Sequence, residues 1–574
     1  MAMTGGEWIT RALQAHGVGT VFAVAGASHT HLLEPLDRAG VAILSHRHEA
    51  GAVGAADGYA RAGGALGVAL IVADQGLPNA VGALAVAWHA QTPVLVLVAA
   101  PPRVYREADA AIDQDRLALV APLTRWARTV PDAARLADHV ETAVKHARAG
   151  AGGPVVLLIP ENLLQAPLDT GAVTPWPAPA AGAAPPGAVK RAAALLAAAE
   201  RPLVVAGAGA AKAGAEAPLR ALAERHGMPV FMNGLGRGLV PEDGRLGFAW
   251  PYAQPAAARA DVVLVAGARL TQRLGLGLPP RFAADARFIQ ADIDPAAMHR
   301  NRPVDVPLLG DARASLDALV AELEGRAPRF DTAWVTDALV DRAARVGELA
   351  GSPGPAIHPL RLAAAIEARR DRGGIFLADG ADIATWLYGA VRIDRPRGFM
   401  DHYPMGAMGS CTALAVGAAA FERERAGDGA PPVVLVTGDG ALGFHPAELH
   451  AAVRAKLNLK VFVGNDGAWG TELHGQRAAI GRDVNTRLGQ LPYEKLGEAF
   501  GATGLSIETT EALDDGVRAA FEAPGTVLVN VLTDPEAGAE LKTNDAVRMI
   551  VFSDILSGQA DLAGLGGQFG EADG

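Results

Sequence analysis

Cysteine is almost missing from this chain. Cys411 stands alone among 574 residues, which excludes an intramolecular disulfide and any cysteine-based zinc cluster and suits a reducing, cytoplasmic setting. Basic residues are also in deficit, 51 against 62 acidic for a net charge of −11. A general nucleic-acid binder would show a basic face, so no nucleic-acid partner is expected. Long apolar runs are lacking too. The most apolar stretch, Ala65 to Ala100, is interrupted by Asp74, Pro78, Asn79 and His89 and does not make one bilayer-spanning helix, so no membrane partner is expected. Nor does Met1 to Gln14 place a basic segment before an apolar one, as a signal peptide would.

What is present is apolar residues, half of the chain, enough for several buried cores. They come as short runs. Val68–Val72, Val94–Val98, Val155–Ile159, Leu203–Ala206, Val262–Ala266, Val433–Val436, Leu459–Val463 and Val527–Val531 read as strands buried on both faces. Between them lie Ala-rich helical segments such as Gly82–Ala90, Ala133–Arg148 and Ala215–His226. This alternation predicts the α/β class, with parallel sheets covered by helices. Thr174–Gly187 is a Pro/Ala/Gly run without periodicity, and a second break spans Gly325 to about Pro355 around one helix. The expectation is three doubly wound domains at 1–172, 188–325 and 355–540, linkers at 173–187 and 326–354, and a tail at 541–574. Their similar size and class suggest duplication of one scaffold.

The strongest chemical signal starts where Val433–Val436 runs into Thr437-Gly438-Asp439-Gly440-Ala441. A carboxylate between glycines at the C-terminal end of a parallel strand sits where open α/β sheets bind ligands. The glycines admit a phosphate, and the aspartate can hold Mg²⁺. A helix is expected over Pro446–Lys456, and the next strand, Leu459–Val463, ends in Gly464-Asn465-Asp466-Gly467-Ala468-Trp469-Gly470. Asp439 and Asp466, 27 positions apart, would then meet at one sheet edge. Either alone is an ordinary Asp-Gly turn; the pair on adjacent strands is specific.

This segment resembles the cofactor motif of the thiamine-diphosphate enzymes, the superfamily of acetolactate synthase, pyruvate decarboxylase and benzaldehyde lyase. The resemblance implies Mg²⁺ ligands at Asp439, Asp466 and the Ala468 carbonyl, with Asn465 as an alternative, and a diphosphate lying against Gly440, Ala441, Trp469 and Gly470. Asp466 stands where the family usually has Asn. A second hallmark is Arg47-His48-Glu49 leading to Asp57-Gly58-Tyr59-Ala60-Arg61, similar to the family's glutamate segment. By that resemblance Glu49 exchanges a proton with the aminopyrimidine of thiamine. Taken alone, Glu49 is a carboxylate favoured at a helix N-terminus. Pro404 to Ser410 resembles the family loop whose bulky residue, here Met408 beside Gly406, keeps the cofactor bent. Strand Ile375–Ala378 ends in Asp379-Gly380-Ala381-Asp382, matching a loop whose backbone holds the diphosphate.

The likeness covers roughly residues 3–535. Thr4–Tyr59 and Trp469–Gly501 are most similar to benzaldehyde lyase, while Ala260–Leu270, Phe288–Pro295 and Gly310-Asp311 resemble the family's central domain. Gly207-Ala208-Gly209 has Lys212 where a dinucleotide fingerprint needs glycine, so FAD is not expected and a structural role is. Departures concern substrate handling. Ala73 to Asn79 replaces a TSGPG-type segment. The glutamine before Pro122-Leu123-Thr124-Arg125 is missing from its place, among Asp109, Ile112 and Asp113, with Gln114 displaced. Ser28 occupies the position of benzaldehyde lyase's pocket histidine, with His29 beside it. His31, His402, His445 and His474 are further histidines near the expected pocket. The expectation is therefore a thiamine-diphosphate- and Mg²⁺-dependent lyase or carboligase acting on 2-oxo acids, aldehydes or 2-hydroxy ketones through a carbanion-enamine. Glu49, Ser28 and His29 are its candidate catalytic residues. The resemblance also implies a homodimer or homotetramer with sites between subunits. Alternatives are an acetolactate synthase-like enzyme, a 2-hydroxyacyl-CoA lyase or oxalyl-CoA decarboxylase-like enzyme and, from another class, a non-catalytic nucleotide-binding subunit.

Overall fold

A computed structural model describes residues 3–105, 115–168, 173–177, 181–326, 329–351 and 354–544, with 108 and 547 besides. Three six-stranded sheets follow one another along the chain, and every pair of neighbouring strands within them is parallel. The Val- and Leu-rich runs form their inner strands. Gly67–Val72, Val94–Ala100 and Val155–Pro160 lie side by side in the first sheet, Pro202–Ala206 and Val262–Ala266 in the second, and Val433–Gly438, Leu459–Asn465 and Val527–Leu532 in the third. These strands are buried almost throughout because helices cover both faces.

Numbered within each sheet in chain order, the strands of the first and third sheets both run 2-1-3-4-6-5, whereas the middle sheet runs 3-2-1-4-5-6. In the two outer sheets the chain reverses direction across the sheet between strands 1 and 3, leaving a crevice at their C-terminal ends. In the first sheet those strands are Thr20–Ala23 and Gly67–Val72; in the third they are Phe376–Ala378 and Val433–Gly438.

The outer units also touch each other directly. Helix Glu49–Gly63 of the first packs on helix Ser410–Ala426 of the third through small residues. A Cβ at Gly58 would stand 2.0 Å from the Leu414 carbonyl oxygen, and one at Gly417 1.8 Å from that of Ala55. Only glycine permits so close an approach. Helix Ala333–Gly351 bridges the middle and third units, with Val335 and Leu339 in one core and Leu349 in the other.

Three local expectations need correction. Helix Gly82–Ala90 starts earlier, at Gly76, because Pro78 and Asn79 fit a first helical turn, where proline's missing N–H costs nothing. The helix expected over Pro446–Lys456 is shorter, Glu448–Arg454. The Pro-rich segment does not stay a linker to Gly187. Helix Pro186–Ala197 begins inside it, and Ala184 N–H donates to Ser315 Oγ at 2.9 Å, seating the segment on the middle unit. Of the tail, Leu541 packs against Leu349 and Trp386; apart from residues 541–544 and 547 it lies outside the described residues. Among the described residues no helix is long and apolar enough to cross a membrane.

Candidate active site

At the crevice of the third sheet a cavity of about 60 Å³ opens between the strand ends. Gly380, Ala381, Asp382, Met408, Asp439, Gly440, Ala441, Asp466, Ala468, Trp469 and Gly470 line it. Of the residues expected to hold the cofactor there, Gly406 stands off this wall, at φ +84°, with its N–H bonded to the His402 carbonyl. Close approach explains the glycines on the wall. A Cβ at Gly440 would sit 2.5 Å from the Trp469 ring, and one at Gly470 2.6 Å from Asp466 Oδ2.

Backbone amides fix the two aspartates. Asp439 Oδ1 accepts from Gly440 N–H at 2.8 Å and its Oδ2 from Gly467 N–H at 3.0 Å, while Asp466 Oδ1 accepts from Ala468 N–H at 3.0 Å. Burial, then the neighbouring Asp466, drives Asp439 far above the usual carboxylate range, and burial likewise raises Asp466. Asp382, pushed up to about 7 by burial and then by Asp466, points its carboxyl toward the same corner. Glu472 and Asp534 also line this cavity; among the described residues no lysine or arginine lines it, and Lys542 acts on Asp382 from outside the wall. Five carboxyl groups on one cavity wall suit a divalent cation. Among the described residues no three His, Cys, Asp or Glu side chains form a metal cage. A cation would therefore take two carboxylates and a carbonyl and leave positions for phosphate oxygens, as Mg²⁺ does. Asn465 faces elsewhere, donating to the Leu491 carbonyl and to Asn530 Oδ1, each at 3.0 Å.

Asp379 was noticed in the sequence only as part of a turn. It is fully buried and accepts from Gly380, Gly409 and Cys411 N–H at 2.7, 3.2 and 2.9 Å. It thereby ties the Met408 loop to the end of strand 1. Cys411 lies buried beneath it, its thiol pushed far up by burial.

The matching crevice of the first sheet holds the other candidates. Glu49 is the first residue of its helix, capped by His48 Nδ1, which accepts from Ala50 N–H at 3.1 Å. Glu49 is 8% exposed, and its Oε2 accepts from Asn79 Nδ2 at 3.0 Å. A Cβ at Gly76 would stand 3.2 Å from its Oε1. Asn79 and Gly76 were not picked out in the sequence because their segment lacks the family's usual pattern. His29 donates from Nε2 to the Ile71 carbonyl at 2.9 Å; burial lowers it to about 4, so the ring is neutral. Among the described residues its Nδ1 has no partner, and Ser28 beside it is half-buried. Glu49, Ser28 and His29 do not line the cavity holding Asp439. Within one chain the two groups of candidates stay apart.

Of the other histidines, His31 is exposed, His474 bonds the Pro535 carbonyl at 2.9 Å, and His402 lies 3.6 Å from Asp379. His445 sits beside His48, ring centres 6.1 Å apart. Asp109, Ile112, Asp113 and Gln114 lie outside the described residues. Gly207-Ala208-Gly209 follows strand 1 of the middle sheet and borders a separate cavity of about 430 Å³ between the three units. Lys212 lines it while donating to the Ala90 and Gln91 carbonyls at 3.0 and 2.7 Å, which joins the middle unit to the first. That larger space lacks the paired carboxylates, so the chemistry is assigned to the smaller one.

Comparison with known proteins gives three consecutive domain matches. Residues 3–119 match "Thiamine pyrophosphate enzyme, N-terminal TPP binding domain", residues 189–319 the "central domain" and residues 379–531 the "C-terminal TPP binding domain" of the same family. A "Probable acetolactate synthase" of Mycobacterium bovis is 32% identical over 553 residues, 94% of this chain and 98% of that protein. An "Oxalyl-CoA decarboxylase" of Escherichia coli is 28% identical, covering 93% of this chain and 95% of the relative. An "Acetolactate synthase, catabolic" of Raoultella terrigena is 28% identical, covering 92% and 95%. None of these three is a benzaldehyde lyase.

Proposed function

We propose, for a chain that belongs to the thiamine pyrophosphate enzyme family and is thus a thiamine-diphosphate-dependent lyase or carboligase, that its active site is assembled from two copies. Asp439, Asp466 and the Ala468 carbonyl of one copy hold Mg²⁺. The backbone of Gly380–Asp382, Gly440, Ala441 and Gly470 lies against the diphosphate, with Trp469 over Gly440 and Met408 in the wall. Glu49 of the second copy, oriented by Asn79, faces the pyrimidine and moves the proton that activates the cofactor. Bound thiamine diphosphate supplies a nucleophilic carbon and an electron sink for cleaving or forming the bond next to a carbonyl. Ser28 and the neutral His29, on the same crevice as Glu49, face the substrate, and the free Nδ1 of His29 is available to accept a proton.

The observation that carries this reading is the buried Asp439–Asp466 pair in a cavity lined, among the described residues, by five carboxyl groups and no lysine or arginine. The separation of Glu49 from that cavity supports the two-copy arrangement, as do the exposed Met405, Phe444, Ile480, Val484 and Leu491 of the third unit. Substrates are 2-oxo acids, aldehydes or 2-hydroxy ketones. The oxalyl-CoA decarboxylase relative favours a second reading, an acyl-CoA substrate.

The test compares wild type and Glu49→Gln, loaded with thiamine diphosphate and Mg²⁺, on 2-oxo acids, aldehydes, benzoin-type ketones and oxalyl-CoA. Carbon dioxide and 2-hydroxy ketone are read by mass spectrometry. Turnover by wild type and its collapse in Glu49→Gln is the expected result. A wild type that does not bind the cofactor contradicts the assignment.

A further inference from the structure

The segment that delivers Glu49 is not held by its own domain alone. Residues 46–48 link strand Ala42–Ser45 to the first turn of helix Glu49–Gly63. All three bond to one carboxylate from the third unit, about 400 positions away. His46 Nδ1 donates to Glu448 Oε2 at 2.6 Å, and Arg47 and His48 N–H donate to Glu448 Oε1 at 3.3 and 3.1 Å. Glu448 is 1% exposed and His46 5%. Gly51, one turn into the helix, leaves the room: a Cβ there would stand 2.2 Å from the Glu448 carboxyl. A buried anion at a helix N-terminus is favoured by the dipole and by the free N–H groups of the first turn.

We infer that Glu448 is the positioning residue for Glu49, its carboxylate fixing where the Glu49 helix begins and therefore where the Glu49 carboxyl reaches. The inference rests on the proton-transfer role proposed for Glu49. Misplacing a reacting group by about 1 Å can cost on the order of 100-fold in rate. Arg47 has a second tie to the third unit, its Nε donating to His450 Nδ1 at 3.0 Å, but that bond is exposed whereas Glu448 is buried. The segment's other backbone ties are His46 N–H to the Ala23 carbonyl at 2.9 Å, two residues short of His48, and Ala52 N–H to the His48 carbonyl at 3.1 Å, which lies within the helix's own first turn. A glutamine at 448 offers one acceptor oxygen to three donors and turns its NH2 toward the others, so the clamp half opens.

A control is built into the same helix. Glu424, also from the third unit, accepts from Thr20 Oγ1 at 2.7 Å and Tyr59 OH at 2.9 Å. It joins the same two units without touching the start of the helix.

The experiment follows deuterium exchange at the thiazolium C2 of thiamine diphosphate bound with Mg²⁺, which needs no substrate, in wild type, Glu448→Gln, Glu448→Asp, Glu424→Gln and Glu49→Gln. Backbone amide exchange is measured on the same proteins without cofactor. The inference expects Glu448→Gln to slow C2 exchange about tenfold and to speed amide exchange at Arg47 and His48 about tenfold, with Glu424→Gln at wild-type values for both. Glu448→Asp, shorter but still charged, is expected to show the same pair of changes and serves if the glutamine variant does not fold. In wild type the two amides should exchange as slowly as those within the helix. C2 exchange at the wild-type rate in a folded Glu448 variant, equal slowing in Glu424→Gln, or unprotected Arg47 and His48 amides in wild type would each overturn it. The underlying reading fails separately: a wild-type rate in Glu49→Gln removes the role of Glu49 itself.

Discussion

The first and third sheets share one strand order and carry opposite chemistry at the same place. After strand 1, the first sheet presents Ser28 and a neutral, buried His29; the third presents Gly380, Ala381 and Asp382. After strand 3 the first opens into a helix bearing Gly76 and Asn79, the third into Asp439-Gly440-Ala441. One crevice ends with the Glu49 carboxylate, bonded by the Asn79 amide, the other with the crowded carboxyl groups of Asp382, Asp439 and Asp466. The shared topology supplies a crevice, and a few side chains decide whether it holds a metal or moves a proton. On the proposed reading neither crevice is complete alone, and a second copy of the chain completes the site.

The sharpest way to break this comparison is to strip the acidic crevice. Asp439→Ala removes one cation ligand and leaves the amides of Gly440 and Gly467 without their acceptor. Turnover should fall about 10³-fold or more, and calorimetry should show Mg²⁺-dependent cofactor binding lost. Glu49→Gln tests the other crevice. A loss of about 10² to 10⁴ is expected, with Mg²⁺ and cofactor affinity near wild type by the same calorimetry. If both variants lose cofactor affinity equally, the division of labour is wrong.

His29 sharpens the contrast through pH. Its folded pKa, about 4 against an ordinary 6.5, is depressed by burial. The folded state therefore binds fewer protons than the unfolded one. Stability is intact above pH 6.5 and declines as pH falls from there toward 4, by on the order of 3 kcal/mol in all. A Tm-against-pH series should show that decline in wild type and a shallower one in His29→Gln. The smallest effect belongs to Gly440→Ala, whose methyl meets the Trp469 ring. A ring can tilt, so a loss of about tenfold in cofactor affinity with little change in Tm is expected.

Much of the architecture is legible in the sequence, because strands buried on both faces must be continuously apolar. Val262–Ala266 is one such run from end to end. That Asp439 and Asp466 meet at one sheet edge is legible for a similar reason, as polar residues placed at the ends of such strands. The motif alone is not enough: Gly427-Asp428-Gly429 is also present and forms an exposed turn after a helix. Glu448, Asn79 and Asp379 are harder to see because their partners are distant in sequence or are backbone amides. No local pattern marks an acceptor for N–H groups 400 positions away. The early start of helix Gly76–Ala90 was hidden by Pro78 and Asn79, residues that usually signal a break.

If the two crevices of a site come from different copies, two inactive variants should complement each other. Glu49→Gln and Asp439→Ala chains, each expected to be inactive alone, can be unfolded together, refolded and loaded with thiamine diphosphate and Mg²⁺. Mixed dimers then hold one site with both intact crevices and one with neither. The account predicts that C2 deuterium exchange returns to about a quarter of the wild-type rate, since random pairing makes half the dimers mixed with one good site each. If the mixture stays as inactive as its two parents while refolded wild type recovers, each chain builds its own site and the account is contradicted.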